Sequence, residues 1–393
     1  MDFELSAEDA AFRDEIRTWL EQRRGRIDET RKETAEYGGS KALELHRGWE
    51  KELYAGGWAG VAWPREHGGR DASLFQQAIF TEEYVRARAP ERINRLGLGL
   101  IGPTLMVYGT EEQKKDHLAK ILTCDEIWCQ GFSEPGAGSD LAALRTRAIR
   151  DGDDFVINGQ KVWTSQAQYS DWIFLLVRTD TEAPKHQGIT FILVDMKSPG
   201  IEVRPMVQIN GKAGFAETFF TDVRVPASNV VDKVNNGWKV AMATLGFERG
   251  TGLGSPVLFS RQWKELVELT KETPRYDGVA ADDPDIRRRV AQGFIETRIY
   301  ELTSKRVLSQ LSKGKSLGPE ASLSKLYWSE MEARMAELEL DTLGPRAELA
   351  TGSPDGGEWY SQYLYARAST IYAGTSEVQK NIIAQRVLGL PKE

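Results

Sequence analysis

Hydrophobic patterning divides the chain into three stretches. Up to about residue 127 the apolar positions recur at helical spacing. Ser6 is a candidate N-cap with Asp9 in the first turn, and Phe12, Ile16, Trp19 and Leu20 follow on one face. Gly56-Gly57, Trp63-Pro64 and His67-Gly68-Gly69 mark turns, and Thr110-Glu111-Glu112-Gln113 has the form of a capping box ahead of a further helix. From about Trp128 the spacing becomes that of strands. Residues 154–163 predict a hairpin turning at Asn158-Gly159, and the runs 171–178, 188–195 and 217–225 are β-rich and bounded by Pro, Gly and Asp. Helical spacing returns near Gly237. Asp283-Pro284 supplies an N-cap and a first-turn proline, after which Ile286, Val290, Phe294, Leu308 and Leu311 share one side while Ile295, Ile299 and Leu302 lie roughly opposite. A helix apolar on two sides needs neighbours on both, which predicts a bundle that also meets another subunit. Another long helix is expected over 319–343, and Ile382-Ile383 and Val387-Leu388 close the chain. No internal repeat interrupts this α, β, α order. The expected domains are 1–127 (α-helical), 128–232 (β) and 233–393 (helical bundle).

Composition narrows the class. At 393 residues the chain is long for one core and suits two or three domains. It is 40% hydrophobic and 28% charged, with no run of about 18 apolar residues. The formal charge of −7 disfavours nucleic acid and anionic membrane surfaces as partners. Cys124 and Cys129 have no metal-like cluster around them and read as reduced packing residues. The acidic start Met1-Asp2-Phe3-Glu4 has no charged-then-apolar leader, so cytoplasmic localisation is expected. His46, His67, His117 and His186 are scattered without metal or triad spacing, so no metal is expected. There is also no Gly-x-Gly-x-x-Gly after a strand.

The segment with most chemical content is Gly131-Phe132-Ser133-Glu134-Pro135-Gly136-Ala137-Gly138-Ser139-Asp140, where helix gives way to sheet. Its small residues allow close approach of a ligand to the backbone, and its serines add hydroxyls. A tight surface turn is the competing reading. Together with Gln160-Lys161-Val162-Trp163-Thr164-Ser165 and Tyr372-Ala373-Gly374-Thr375-Ser376-Glu377-Val378-Gln379, this block resembles the signature motifs of the acyl-CoA dehydrogenase family, and the likeness runs over essentially the whole chain.

The resemblance implies an α+β fold with an N-terminal α-helical domain, a middle β-barrel-like domain and a C-terminal four-helix bundle. It also implies FAD as cofactor. Phe132 and Ser133 are then expected to present backbone N–H groups, and the Ser133 hydroxyl, to the pyrimidine edge of the flavin. Trp163 would cover one ring face and Ser165 would bond near N5. Ser139 would contact CoA, and Thr375 and Glu377 would lie near the pyrophosphate and ribose, although a plain helix N-terminal charge is nearly as good a reading of Glu377. A strand-centre core aromatic is the rival reading of Trp163.

The base is the informative position. Many family members place a Glu just before Gly-Thr in the C-terminal loop, and here that residue is Ala373. Glu248, in Phe247-Glu248-Arg249, falls where isovaleryl- and long-chain-type members place theirs. The resemblance implies Glu248 as α-proton acceptor, Arg249 as a substrate contact, and the backbone N–H of Ala373 as donor to the thioester oxygen. A solvated Glu248 paired with Arg249 is the alternative. Gly246, Gly250, Gly252 and Gly254 fit a roomy pocket or, equally, a flexible loop, since each costs about 1 kcal/mol of helix stability.

The family pattern breaks at three places. Thr273-Pro274-Arg275-Tyr276-Asp277-Gly278 replaces the usual Arg-x-x-Phe-Gly, leaving Arg275 a weak candidate to reach a neighbour's FAD. Asp341 stands where a flavin-binding Gln is common, and Leu343-Gly344-Pro345-Arg346 replaces Gly-Gly-x-Gly. The ending 381–391 is similar to actinobacterial members, some of which act on bulky acyl-CoAs as two-gene heterotetramers. The expected partners are therefore an acyl-CoA, an electron-transferring flavoprotein, and copies or companions in a homotetramer or α2β2 heterotetramer. A non-catalytic FAD-binding partner subunit, and a flavin monooxygenase or oxidase on the same fold, are the alternative functions.

Overall fold

The computed structural model describes residues 5–34, 40–251, 255–315, 318–319, 321–349 and 357–392; the side chains of residues 34, 40, 248–251 and 255 lie outside the description. The chain forms two compact units, one of residues 1–80 and 87–252, the other of 81–86 and 253–393.

The first unit begins with α1 (Ala7–Glu21), α2 (Arg24–Thr34), α3 (Ser40–Ala55), the first part of α4 (Leu74–Arg86), α5 (Gly102–Tyr108) and α6 (Glu111–Thr123). The expected caps form. Ser6 accepts from the Asp9 N–H at 3.1 Å, and Thr110 and Gln113 bond each other's backbone N–H groups. Phe12, Ile16 and Leu20 are buried, while half-buried Trp19 tilts against Trp49 and Trp58.

The chain passes from helix to sheet through a buried asparagine. Asn94 Nδ2 donates to Ile121 O at 3.0 Å and Glu126 O at 2.8 Å, and its Oδ1 accepts from Trp128 N–H at 3.1 Å. One side chain thus satisfies the end of α6 and the start of the first strand.

A seven-stranded sheet follows: β1 (Trp128–Gly131), β2 (Arg147–Asp151), β3 (Asp154–Ser165), β4 (Trp172–Arg178), β5 (Ile189–Asp195), β6 (Ile201–Met206) and β7 (Phe215–Pro226). The order is β1-β4-β2-β3-β7-β6, with β5 also on β4. β4 and β5 are buried along nearly their whole length, as their unbroken apolar runs require.

The expected hairpin turn at Asn158-Gly159 is corrected by the structure. The two-residue turn is Gly152-Asp153, between paired Asp151 and Asp154, with Gly152 at φ 61°. Asn158-Gly159 lies inside β3 as a register shift against β7. Long-range pairing overrides the turn preference here. Asn158 exchanges hydrogen bonds with Asp222 on β7, and a Cβ at Gly159 would meet Thr146 Cα at 2.7 Å. The unit ends with α7 (Gly237–Thr251), whose buried positions Gly237, Val240, Ala241 and Thr244 form one stripe.

The second unit is helical. It comprises α8 (Ser255–Glu272), a short hairpin of β8 (Pro274–Arg275) and β9 (Gly278–Val279), α9 (Pro284–Leu311), α10 (Ala321–Leu343), α11 (Glu358–Ala366) and α12 (Ser376–Ile382). Asp283 caps α9 as expected, accepting from the N–H groups of Asp285 and Ile286. Helices α8, α9 and α10 meet through Phe259, Tyr300, Met331 and Met335, and again through Leu266, Ile286 and Leu338. On α9 the inward face is Ile286, Gly293, Thr297, Tyr300, Ser304 and Leu308. Phe294 departs from its expected side: it is half exposed and tilts onto Trp263. Ile295, Ile299 and Leu302 stay about half exposed on the opposite face.

Glu339 on α10 is fully buried. Its Oε1 accepts from Gln262 Nε2 at 3.0 Å, and Oε2 has no partner. Burial raises its pKa well above the ordinary 4.5; the Gln262 bond opposes this, and nearby Glu332 and Glu265 add to it. A folded-state pKa raised in this way contributes stability that is complete below the unfolded value and lost as pH rises through the folded value. The wild type is therefore expected to lose stability as pH rises above about 4.5 through that window, whereas Glu339→Gln should show a flatter profile. Unfolding by urea at a series of pH values checks this. Equal pH slopes for the two proteins would contradict a protonated Glu339.

Candidate functional site

Within the first unit, the middle sheet gathers several of the candidate residues around a buried ion pair. In a regular strand residues i and i+2 share a face, so Lys161 and Trp163 should point the same way. They do not: Lys161 is 0% exposed and Trp163 is 55% exposed. The register of β3 against β7 shifts between Lys161 and Thr164, with Trp163 at φ 59°, and this bulge turns the indole outward while Thr164 faces in. The indole meets Phe215 edge-on at 5.9 Å and 85°. Its outward setting is inconsistent with the core-aromatic reading.

Lys161 Nζ reaches the signature loop, donating to Glu134 Oε1 at 2.8 Å and Phe132 O at 3.1 Å. Glu134 also accepts from Arg145 N–H at 2.6 Å and Thr146 N–H at 2.9 Å. Burial pushes the Lys161 ammonium down to about 8, opposed by Glu134. Burial pushes Glu134 up, but Lys161 and Thr146 more than offset it and leave the carboxyl below its ordinary value. The pair is therefore charged at neutral pH. Val162 N–H donates to Ser133 O at 2.9 Å, which sets Ser133 beside the bulge that carries Trp163.

The other expected residues of the first unit are placed as follows. Phe132 is buried, with its ring edge-on to Phe174 and Phe191, so only its backbone can serve a ligand. Ser133 and Ser165 are half-buried. Ser139 is exposed, next to Asp140, which pairs with Lys185. The hydroxyl of Thr164 and the Oε1 of Gln166 are buried without hydrogen-bond partners among the described residues. A cleft of about 340 Å³ opens beside the loop, lined by Glu134, Pro135, Gly136, Ala143, Arg145, Thr146, Gly159 and Gln160. Glu248 and Arg249 lie in the last turns of α7, with side chains outside the described residues.

The C-terminal loop belongs to the second unit. Ala373 and Gly374 both have left-handed backbones, at φ 52° and 92°. Gln379 Nε2 ties the turn down through Ala373 O at 3.0 Å, and Thr375 caps α12 by accepting from Val378 N–H. Ala373 and Glu377 are exposed. Hydrogen bonds from its own backbone and from Thr375 hold the Glu377 carboxyl below its ordinary value. Lys325 Nζ anchors the segment through Ser369 O at 2.9 Å.

Arg275, the weak candidate for reaching a neighbour, is already committed. Its Nε donates to Asp283 at 2.8 Å and its Nη1 to Asp341 O at 3.0 Å, while the Asp341 carboxylate pairs with Arg289. The two departing positions are thus joined within the same unit.

The roles of Lys161 and Glu134 are not visible in the pattern of residue types. The available signal was a lysine inside a strand that is otherwise buried on that face.

Three domain families of the acyl-CoA dehydrogenases match in order: the N-terminal domain over residues 6–125, the middle domain over 129–223 and the C-terminal domain over 235–388. Acyl-CoA dehydrogenase IpdE1 of Mycobacterium tuberculosis is 44% identical over 355 residues, 90% of each chain. Its namesake in Mycolicibacterium smegmatis is 43% identical over 367 residues, again 90% of each. Among solved structures, the ChsE4–ChsE5 complex from Mycobacterium tuberculosis contains a chain that is 33% identical with a TM-score of 0.87, and the Tcur3481–Tcur3483 steroid ACAD one that is 32% identical with a TM-score of 0.86; both cover 100% of each chain. Read with the signature loop, the Trp163 bulge and the Ala373-Gly374 turn, these matches show that the chain belongs to the acyl-CoA dehydrogenase family.

Proposed function

We propose that this chain is a catalytic, FAD-binding acyl-CoA dehydrogenase acting on a bulky acyl-CoA, with Glu248 as its base, as one chain of a heteromeric assembly. The observation that carries the reading is the outward Trp163 on a bulge beside the locked Ser133 loop. An apolar ring face, flanked by the hydroxyl-bearing Ser133 and Ser165, fits a flat aromatic cofactor with a polar edge. Bound FAD would supply a hydride acceptor for the substrate's β carbon.

The remaining work falls to side chains and backbone. Phe132, Ser133, Trp163 and Ser165 would hold the ring system, and Thr375 and Glu377 the rest of the cofactor. Ser139 and Arg249 would hold the CoA-linked substrate. Glu248, in the last turns of α7, would remove the α proton, a task that suits a carboxylate. The Ala373 N–H would donate to the thioester oxygen, stabilising charge as the proton leaves; replacing Glu by Ala at that position keeps this donor. Electrons would leave to an electron-transferring flavoprotein.

Assembly with a different chain is favoured by two observations. Arg275, the weak candidate to reach a neighbour's cofactor, and Asp341, which stands where a flavin-binding Gln is common in relatives, are bonded within their own unit. In addition, α9 leaves Ile295, Ile299 and Leu302 half exposed as a stripe suited to another chain. The relatives named for the ChsE4–ChsE5 complex and as a steroid ACAD support the same reading and a ring-sized acyl group.

Anaerobic mixing of the yellow protein with a panel of acyl-CoAs tests the proposal. Loss of the flavin band is expected with bulky thioesters and absent with free acids. A colourless protein that also takes up no added FAD would overturn it.

A further inference from the structure

We infer that Lys161 is a positioning residue for the flavin: its buried ammonium turns the Phe132–Ser133 peptide so that the Ser133 N–H faces the ligand, and strengthens that N–H as a donor to negative charge. The inference rests on the FAD reading above and adds a residue that reading does not use.

The Phe132 carbonyl and the Ser133 N–H belong to one peptide unit. No peptide bond among the described residues is cis, and in a trans peptide the C=O and N–H point to opposite sides. Lys161 Nζ takes the carbonyl at 3.1 Å from within the sheet, so the N–H points away from the buried ammonium. The next peptide is fixed as well, because Ser133 O accepts from Val162 N–H and Glu134 N–H donates to Ala137 O at 3.1 Å. The loop therefore has no freedom to rotate this N–H inward.

Charge matters beyond orientation. Hydrogen bonds to an ionised group are roughly twice as strong as neutral ones, and a polarised carbonyl makes its own amide a better donor. Packing alone does not account for an ammonium here, since an apolar side chain of similar volume is often as stable as a buried ion pair. Glu134 holds the charge in place: it takes Lys161 on one side and the Arg145 and Thr146 N–H groups on the other. The same strand segment thus does two things. Lys161 faces inward to set the donor, and two residues later the bulge turns Trp163 out to receive the ring.

The test is the midpoint potential of bound FAD, read by spectroelectrochemical titration in the wild type and in the double variant Glu134→Gln/Lys161→Met. The double variant removes both charges at nearly constant volume and so avoids a lone buried ion. Reduced FAD is expected to be held at least tenfold less tightly relative to oxidised FAD, a fall of about 30 mV or more. A folded, yellow double variant with an unchanged potential overturns the inference. A crystal structure of the FAD-loaded wild type decides independently of whether the variant folds. Ser133 N must lie within about 3.2 Å of a flavin heteroatom, and an N–H turned to protein or solvent overturns the inference. A wild type that takes up no FAD overturns both readings, whereas an unchanged potential overturns this one alone.

Discussion

Glu248→Gln is expected to slow flavin bleaching by acyl-CoA by about 10²–10⁴-fold, the range of a lost general base, while FAD content and acyl-CoA affinity stay within about twofold. The substitution keeps the shape of the side chain but exchanges one acceptor oxygen for an NH2 donor and removes the charge and the ability to take up a proton. Its effect should be large because the loop position where many relatives carry the base is Ala373, a residue with no titratable group. Rapid anaerobic mixing separates the outcomes. A bleaching rate within threefold of wild type would remove Glu248 from the mechanism and leave the fold and family untouched. A variant that loses FAD would point instead to a structural role for the end of α7.

Asn94→Leu is expected to cost on the order of 4 kcal/mol of stability. The leucine has similar volume but strands the buried Glu126 carbonyl and the Trp128 N–H, at about 1–3 kcal/mol for each group left unpaired, and removes one of the two donors to the Ile121 carbonyl. The space is also tight, since a Cβ at Gly97 would come within 2.4 Å of Asn94 Oδ1. The damage should be greatest where α6 hands over to β1. Urea unfolding followed by tryptophan fluorescence suits the measurement, because Trp128 and Trp172 stack there at 5.5 Å. A loss below about 1 kcal/mol would mean that water replaces the amide without penalty.

The contrast between these two residues shows what could be read in advance. Features set by neighbours a few residues away were legible. Ser6, Thr110 and Asp283 act as caps where the sequence placed them, because a cap needs only its own first turn. The apolar runs of β4 and β5 were legible for a similar reason, since strands covered on both faces have little polar alternation. Asn158-Gly159 was misleading: its local turn preference yields to hydrogen bonds with Asp222, 64 residues on. Asn94, Lys161 and Glu339 were silent, as their partners lie 27 to 77 residues away and only the folded sheet or bundle brings them together. The signature motifs were recognised by resemblance, and what the structure adds is the reason Trp163 faces out.

The half-exposed Ile295, Ile299 and Leu302 on α9 also bear on how the protein must be produced. An aliphatic ridge left bare in water promotes self-association. Under the proposed heteromeric assembly, solubility is the property that should depend first on the second chain: synthesis of this chain alone should yield clumped material, and joint synthesis with its companion a monodisperse product.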